Sequence, residues 1–182
     1  MKNLIKRLYY RLHSNYTTED LIKRGLTVGA NFKRMHGTII DPSHCWHIVI
    51  GANVTLAPRV HILAHDASTK QFIGYTRIGN VIIGDNVFVG ADSVILPGVT
   101  IGDNVIIGAN STVTTNVPSN TVVAGSPAKT ICSLEDFILK NKNLMMHRPK
   151  YGEEYTERNS QLTKAMKDEM FESLKDGFGF VE

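Results

Sequence analysis

The sequence predicts an all-β core that is a β-solenoid, with helices at both ends of the chain. Six aliphatic residues recur at every sixth position through the middle of the chain: Ile83, Val89, Ile95, Ile101, Ile107 and Val113. A helix needs apolar spacing near 3.6 residues, whereas six is a multiple of the strand period of two and can place one aliphatic side chain inward on each short strand. Because such a unit cannot bury its apolar residues alone, stacked coils must share one continuous core.

A second apolar or small residue stands two places before each member of this series, which predicts a second inward position. These residues are Val81, Val87, Ser93, Val99, Val105 and Ser111. Four members of the series are followed by glycine: Gly84, Gly90, Gly102 and Gly108. We expect glycine, or Asn and Asp, beside the inward residues to supply the positive φ angles that the corners need.

The same repeat runs upstream through Ile50, Leu56 and Ile62 and is interrupted between residues 64 and 77. No six-residue spacing survives in that stretch, so we expect a loop that projects from the solenoid. Loops on a rigid scaffold commonly carry binding and catalysis. His65 and Asp66, at the start of the loop, are therefore the first candidates for a functional site.

The predicted organisation is a solenoid at residues 25–131 with the loop at 64–77, an N-terminal helical cap at 1–24 and a C-terminal helical extension at 132–182. The N-terminal helix is predicted over residues 2–24, with basic residues on one face. This pattern favours a helix that caps the open end of the solenoid. The alternative is a helix that contacts an anionic membrane surface. Further helices are predicted from Ser133 to Met146 and from Glu157 to Asp176.

Composition narrows the class of protein. The 182 residues have a net charge of +3. The stretch 50–131 has four basic and four acidic residues, so we do not expect a chain-wide basic electrostatic field that would bind nucleic acid. Cys45 and Cys132 do not form a disulfide framework, which favours a reducing cytoplasm. We expect neither a signal peptide nor a transmembrane span of roughly 20 apolar residues.

Two runs in the chain resemble a known family. IGDNVFVGADSVILPGVTIGDNVIIGANSTVTTNVPSNTVVAGSPAK (residues 83–129) resembles the hexapeptide-repeat acyltransferases, and IGANVTLAPRVHILAHD (residues 50–66) resembles their sugar O-acetyltransferase branch. The resemblance implies a left-handed parallel β-helix of triangular cross-section, assembled as a homotrimer with active sites between subunits. The left hand comes from the resemblance alone, because parallel strand crossovers are usually right-handed.

The resemblance also implies an activity, the transfer of acetyl from acetyl-CoA to a saccharide hydroxyl. His65 matches the family's catalytic histidine, and an imidazole with a pKa of about 6.5 suits a general base at neutral pH. It would act directly in a ternary complex, without a covalent acyl-enzyme. The repeat break at His65 places it ahead of the other six histidines, including His44, and a hydrogen-bonded loop histidine is the structural alternative.

Three residues are candidates for acceptor binding. Asp66 is expected either to orient the imidazole or face the acceptor, or to be a turn residue whose side chain caps backbone amides. Asp41 lies near where related enzymes place a substrate-binding acid. Trp46 is expected to offer a face to a sugar ring or to fill the core. The short loop favours a small saccharide or an exposed sugar of a surface-glycan precursor as acceptor.

The acetyl-CoA site is also predicted from the resemblance. Ala91, Ala109 and Thr114 would line the pantetheine arm, and Thr115 stands where many members have a lysine that faces CoA. Gly125 would turn the chain, and Lys129 would meet the nucleotide phosphates. Backbone amides near Ala91 would stabilise the oxyanion. No metal is expected.

Two other functions remain open at this point. A zinc enzyme like the γ-class carbonic anhydrases would use His61 and His65, although residues four apart on a strand are separated by about 13 Å. A scaffold that has lost catalysis would keep the solenoid but would have no reason to bind acetyl-CoA.

Overall fold

The computed structural model describes residues 16–182, and the chain divides after Leu134 into two compact units. The first unit consists of short strands that follow one another in coils. The first coil contains β1 (Thr27–Val28), β2 (Lys33–Arg34) and β3 (Ile39–Ile40), and the second contains β4 (Ile48–Ile50), β5 (Thr55–Leu56) and β6 (His61–Ile62). A loop follows, with β7 (His65–Asp66), α2 (Lys70–Ile73) and β8 (Arg77–Ile78). The short helix α1 (Thr18–Ile22) precedes the first coil.

Later coils repeat the same path. The third coil contains β9 (Val81–Ile83), β10 (Phe88–Val89) and β11 (Val94–Ile95), and the fourth contains β12 (Thr100–Ile101), β13 (Ile106–Ile107) and β14 (Thr112–Val113). β15 (Thr121–Ala124) follows, and β16 (Lys129–Ser133) returns antiparallel to it.

Corresponding strands of successive coils pair in parallel and form three sheets. Sheet A has the order β1-β4-β9-β12, sheet B has β2-β5-β10-β13-β15-β16, and sheet C has β3-β6-β11-β14. A chain that visits three parallel sheets in rotation is a parallel β-helix, so the predicted fold class is confirmed.

The core lies between the three sheets. Both predicted inward series are buried: Ile83, Val89, Ile95, Ile101, Ile107 and Val113, together with Val81, Val87, Ser93, Val99, Val105 and Ser111. The two serines are satisfied there, because both hydroxyls donate to the Gly108 carbonyl.

Asparagine and aspartate, rather than the glycines of the repeat, supply the left-handed backbone. Asn86 has φ +56° and Asp92 has φ +60°, whereas Gly84 and Gly90 have no positive φ. Gly90 is required by close packing, since a Cβ there would lie 2.4 Å from the Ala109 nitrogen of the next coil. The positive φ angles predicted at the corners are therefore supplied by the Asn and Asp alternative, and the role of these glycines is to allow stacking.

An asparagine ladder follows the corner between sheets A and B. Each side-chain amide donates to the amide oxygen of the next coil, at 2.9 to 3.1 Å. The ladder runs through Asn31, Asn53, Asn86, Asn104 and Asn120. All five have positive φ, which asparagine tolerates better than most residues.

The predicted N-terminal helix is only partly within the described residues. Thr17 is extended (φ −68°, ψ 161°) and caps α1 by accepting from the Asp20 N–H, so a continuous helix over 2–24 is wrong at Thr17. Residues 2–15 of that prediction lie outside the described residues. Leu21 of α1 is fully buried in the solenoid core.

The second unit is residues 135–182, and most of it is helical or irregular. Helix α3 (Leu134–Met145) enters it, and β17 (Lys150–Tyr151) pairs in parallel with β18 (Phe180–Val181). Helix α4 (Lys164–Ser173) is shorter than the predicted 157–176, because Thr163 caps it by accepting from the Met166 N–H. In the part of the chain that the structure describes, no helix has the length and apolar character needed to cross a membrane.

Neighbouring isoleucines of β13 allow a test of the inward series. Ile107 is fully buried and Ile106 is partly exposed. Ile107→Ala should lower the free energy of unfolding by about 2–5 kcal/mol, because it leaves a cavity in a closed core. Ile106→Ala should lower it by no more than about 1 kcal/mol. Urea unfolding at one protein concentration measures both, and equal losses would contradict the inward assignment.

Candidate active site

Every change in coil length falls on one corner of the solenoid. Thr100 lies 18 residues after its partner Ile82, the regular spacing. Val49 lies 22 residues after Thr27, Ile82 lies 33 after Val49, and Val117 lies 16 after Ile101. All three irregularities lie where the chain passes from sheet C to sheet A. We call this edge the insertion corner, formed by residues 41–47, 63–80, 96–99 and 114–116.

The two longer insertions bring His65 and Asp41 together. Asp41 directly follows β3, and His65 begins the loop after β6, which is the next strand of sheet C. His65 Nδ1 lies 2.5 Å from Asp41 Oδ2. The His65 side chain is 33% exposed and the Asp41 side chain is 0% exposed, so the imidazole is held from the protein side and open on the other.

Hydrogen bonds fix the Asp41 carboxylate. Oδ1 accepts from the backbone N–H groups of Ser43 (2.9 Å) and His44 (3.3 Å), and Oδ2 accepts from the N–H of Ala64 (3.1 Å) as well as from His65. Burial raises the pKa of Asp41, but the hydrogen bonds from His65, Ser43 and Ala64 outweigh it and bring the pKa below its ordinary value. Asp41 is therefore ionised at neutral pH.

Asp41 is placed beside the catalytic candidate rather than on a surface. The residue predicted to bind substrate directly has both oxygens engaged by the protein and no exposed side-chain area. Its contacts fit the orientation of an imidazole, a role that sequence reasoning had considered for Asp66.

Asp66 caps the turn that follows it. Its Oδ1 accepts from the backbone N–H of Ser68 at 2.9 Å. That hydrogen bond holds the pKa of Asp66 below its ordinary value. The geometry thus fits the turn alternative, and Asp41, not Asp66, contacts the His65 ring.

An aromatic group extends from His65 across the same corner. The His44 ring lies 4.8 Å from the His65 ring and 5.3 Å from the Trp46 ring, measured between centroids. His47 stacks near His44 and its Nδ1 lies 2.8 Å from the side-chain oxygen of Asn80, at the far end of the loop. Sequence reasoning missed His44; the four extra residues between Ile40 and Ile48 were the signal that could have found it.

Trp46 is on the surface. Its side chain is 54% exposed, on the one-turn helix Cys45–His47. The core-filling alternative is therefore wrong, and an exposed indole face remains for a ligand.

Residues predicted for acetyl-CoA divide between two corners. Ala91 and Ala109 are stacked at the corner between sheets B and C, where Asn110 N–H donates to the Ala91 carbonyl at 2.7 Å. Gly125, with φ +100°, continues this row, since its carbonyl accepts from Thr112 N–H. We call this edge the alanine corner, formed by residues 57–60, 90–93, 108–111 and 124–128. Lys129 begins β16 beside Ala124 and is exposed.

Thr114 and Thr115 lie elsewhere. They follow β14 and belong to the insertion corner, one coil after Leu96. The sequence predicts that Thr114 lines one groove with Ala91 and Ala109. Within one chain it does not, because Thr114 lies at a different corner from the two alanines.

The zinc ligands considered for the alternative function, His61 and His65, are not both in the group of potential metal ligands that the structure shows. The group of potential metal ligands within the described residues is Asp41, His44 and His65, with one ligand atom from each within 4.8 Å of the others. His61 lies in β6 between Ile39 and Val94 and is not a member.

Comparison with known proteins identifies the family. Residues 80–115 match the family model described as bacterial transferase hexapeptide, six repeats. The chain is 40% identical over 145 residues to protein CapG of Staphylococcus aureus, which covers 75% of this chain and 83% of that protein. The chain belongs to the hexapeptide-repeat acyltransferases.

Solved structures place this acyltransferase in the sugar O-acetyltransferase branch. It is similar to a maltose O-acetyltransferase from Clostridium difficile 630, with a TM-score of 0.53 and 31% identity over 73% of this chain and 89% of that one. It is also similar to a hexapeptide-repeat acetyltransferase from Vibrio cholerae solved with acetyl coenzyme A, with a TM-score of 0.55 and 28% identity over 61% of each chain. These relatives support the left-handed coil that the resemblance implied.

The role of Asp66 in this acyltransferase can be tested directly. Asp66→Asn keeps an oxygen that accepts from the Ser68 N–H, so a turn residue should leave turnover within about threefold of wild type. If the charge of Asp66 contacts the acceptor, the substitution should instead raise the KM for the acceptor. Steady-state kinetics with a saccharide acceptor distinguishes the two, and a KM increase of tenfold or so would restore the substrate-binding prediction.

Proposed function

We propose that this protein transfers an acetyl group from acetyl-CoA to a hydroxyl of a saccharide, with His65 as general base. The observation that carries the proposal is the 2.5 Å contact between His65 Nδ1 and the buried Asp41 carboxylate at the insertion corner. Membership in the sugar O-acetyltransferase branch supports the co-substrate and the acceptor class.

Asp41 determines which nitrogen of His65 can act as a base. An ionised carboxylate only accepts hydrogen bonds, so the Nδ1 that contacts it must carry the proton. The neutral ring then has its lone pair on Nε2, where it can accept a proton from an alcohol. Asp41 is thus a positioning residue, and its charge also stabilises the imidazolium that forms.

The reaction proceeds in two steps without a covalent acyl-enzyme. His65 Nε2 takes the hydroxyl proton as the acceptor oxygen forms a bond to the acetyl carbonyl carbon, and the carbonyl oxygen becomes an oxyanion. The oxyanion then reforms the carbonyl, the carbon–sulfur bond breaks, and the CoA thiolate takes the proton from the imidazolium. Cys45 does not serve as a nucleophile, because it is fully buried and burial raises the pKa of its thiol.

Acetyl-CoA would bind along the alanine corner of one subunit and face the insertion corner of another. Ala91 and Ala109 leave room for the pantetheine arm, and stacked coils offer backbone groups about 4.8 Å apart to its amides. Lys129 lies at the end of this row and is exposed, so it can meet a phosphate. Because His65 lies on a different corner of the same chain, a neighbouring copy is needed to bring base and thioester together, as in a homotrimer.

The acceptor would bind at the insertion corner beside Trp46. A sugar ring presents an apolar face of C–H groups, which an exposed indole can cover while the hydroxyls remain free. Asn80 and His47 hold the two ends of the insertions together at 2.8 Å, which fixes this side of the site. The loop is short and folds back on itself through the antiparallel pair β7 and β8, which leaves the corner open to a small saccharide or to a sugar on a larger glycan.

Two variants test the base and its positioning residue. His65→Ala should lower kcat by about 10²–10⁴-fold, the usual contribution of a general base. Asp41→Asn should lower kcat by at least about tenfold with a smaller change in the KM for acetyl-CoA, since the ring loses its partner but the CoA groove is unchanged. Acetylated product is measured by mass spectrometry, with circular dichroism and sedimentation as controls for folding and assembly. Near wild-type turnover of His65→Ala would remove His65 from the mechanism.

A mixing experiment tests whether the site is shared between copies. His65→Ala lacks the base and Ala109→Trp fills the acetyl-CoA groove, so each variant alone should be inactive. Mixed oligomers, refolded or co-expressed from equal amounts, should regain activity at about a quarter of the sites if base and groove come from different chains. If both come from one chain, the mixture stays inactive, which would contradict the intersubunit arrangement.

A further inference from the structure

The His44 side chain carries a polar atom that the acyl-transfer mechanism does not explain. Its Nδ1 is buried, and none of the described residues, 16–182, forms a hydrogen bond with it. A buried polar nitrogen without a partner costs about 1–3 kcal/mol, and such groups commonly mark a place for water or an ion. His44 lies on the four-residue insertion, and its ring faces that of His65 at 4.8 Å.

Three groups with metal-ligating atoms meet at this point. His44 and His65 each offer a ring nitrogen and Asp41 offers a carboxylate oxygen, all within 4.8 Å of one another. Two imidazoles and one carboxylate form a ligand set that zinc and similar borderline ions accept, with a fourth position left open. Here the open position would face solvent through the exposed part of His65.

The ligand atoms of His65 and Asp41 already lie together, since His65 Nδ1 is 2.5 Å from Asp41 Oδ2. A cation held by all three groups would therefore bind His65 through Nδ1, in the place of the proton that Nδ1 donates to Asp41. Tetrahedral zinc holds its ligand atoms about 3.3–3.6 Å apart. The three groups lie within 4.8 Å of one another, so side-chain movements of about 1.5 Å would close the site.

We propose that Asp41, His44 and His65 form an inhibitory site for a zinc-class divalent cation. This inference rests on the proposed role of His65 as the general base. A neutral imidazole that binds an ion through Nδ1 carries its single ring proton on Nε2. Nε2 then has no lone pair to accept the hydroxyl proton, so acyl transfer stops while the ion is bound. The ion is neither a cofactor nor a catalyst, and removing it with a chelator restores activity.

Metal binding and acyl transfer are measured separately. Co²⁺ is added to the purified, chelator-treated protein and its visible absorption is followed, since four-coordinate Co²⁺ absorbs strongly. We expect one ion per chain, with the dissociation constant raised at least about tenfold in His44→Gln and in His65→Gln. His36→Gln is the matched control: His36 is an exposed histidine of the first coil, between β2 and β3, and its loss should leave binding unchanged. Should His44→Gln fail to fold, NMR of the wild-type histidine rings during a zinc titration must show shifts at His44 and His65.

Zinc inhibition is then measured on acetylated product by mass spectrometry, because zinc binds the free CoA thiol and would disturb thiol reagents. Each protein is compared with its own zinc-free rate. The proposal is supported if inhibition requires one ion per chain. His44→Gln, but not His36→Gln, must also raise the zinc concentration for half-inhibition at least about tenfold. Equal inhibition of wild type and His44→Gln, or equal Co²⁺ binding by both, overturns it. If Co²⁺ binds as expected but no acetyl is transferred in the absence of metal, the proposed function fails and the inhibitory role falls with it.

Discussion

The register of the stacked coils is the constraint on which the rest of this structure depends. Parallel pairing fixes each strand against the corresponding strand of the next coil, 18 residues later where the coils are regular, and buried aliphatic residues at every sixth position hold that register. A slip of one residue would turn the inward side chains outward. Extra residues can therefore enter only at a corner, where they leave the ladder unchanged.

All length changes fall on the insertion corner, which explains why the proposed catalytic residues lie on one edge of an otherwise regular solenoid. Insertions on adjacent coils are neighbours in space although they are distant in sequence. Asp41 from the first coil and His65 from the second meet for this reason, 24 positions apart in the chain. The other two corners stay regular. One holds the asparagine ladder, and the other, the alanine corner, holds the small residues proposed to bind acetyl-CoA together with the Arg59–Asp92 ion pair.

Burial gives the Asp41 carboxylate its role. A fully buried carboxylate is unfavourable unless its charge is compensated, and here three backbone N–H groups and one imidazole supply that compensation. The same contacts fix the tautomer of His65. The insertion that provides two of these N–H groups also brings His44 against the ring, so catalysis and metal inhibition would depend on the same few residues.

Sequence alone determined the solenoid, its inward residues and the position of the break, because each follows from a period of six that only stacked strands can satisfy. It also made His65 a candidate, since a phase break in a regular repeat is visible in the sequence alone. Tertiary structure alone decided the rest of the site. Asp41 became the partner of the imidazole, Asp66 a turn cap and Trp46 a surface residue because of which insertions are stacked on which coil. It also separated Thr114 from Ala91 and Ala109. Periodicity reports which side chains point inward, but contacts between corners depend on the rise of the coils and on loop conformation, which no spacing along the chain encodes.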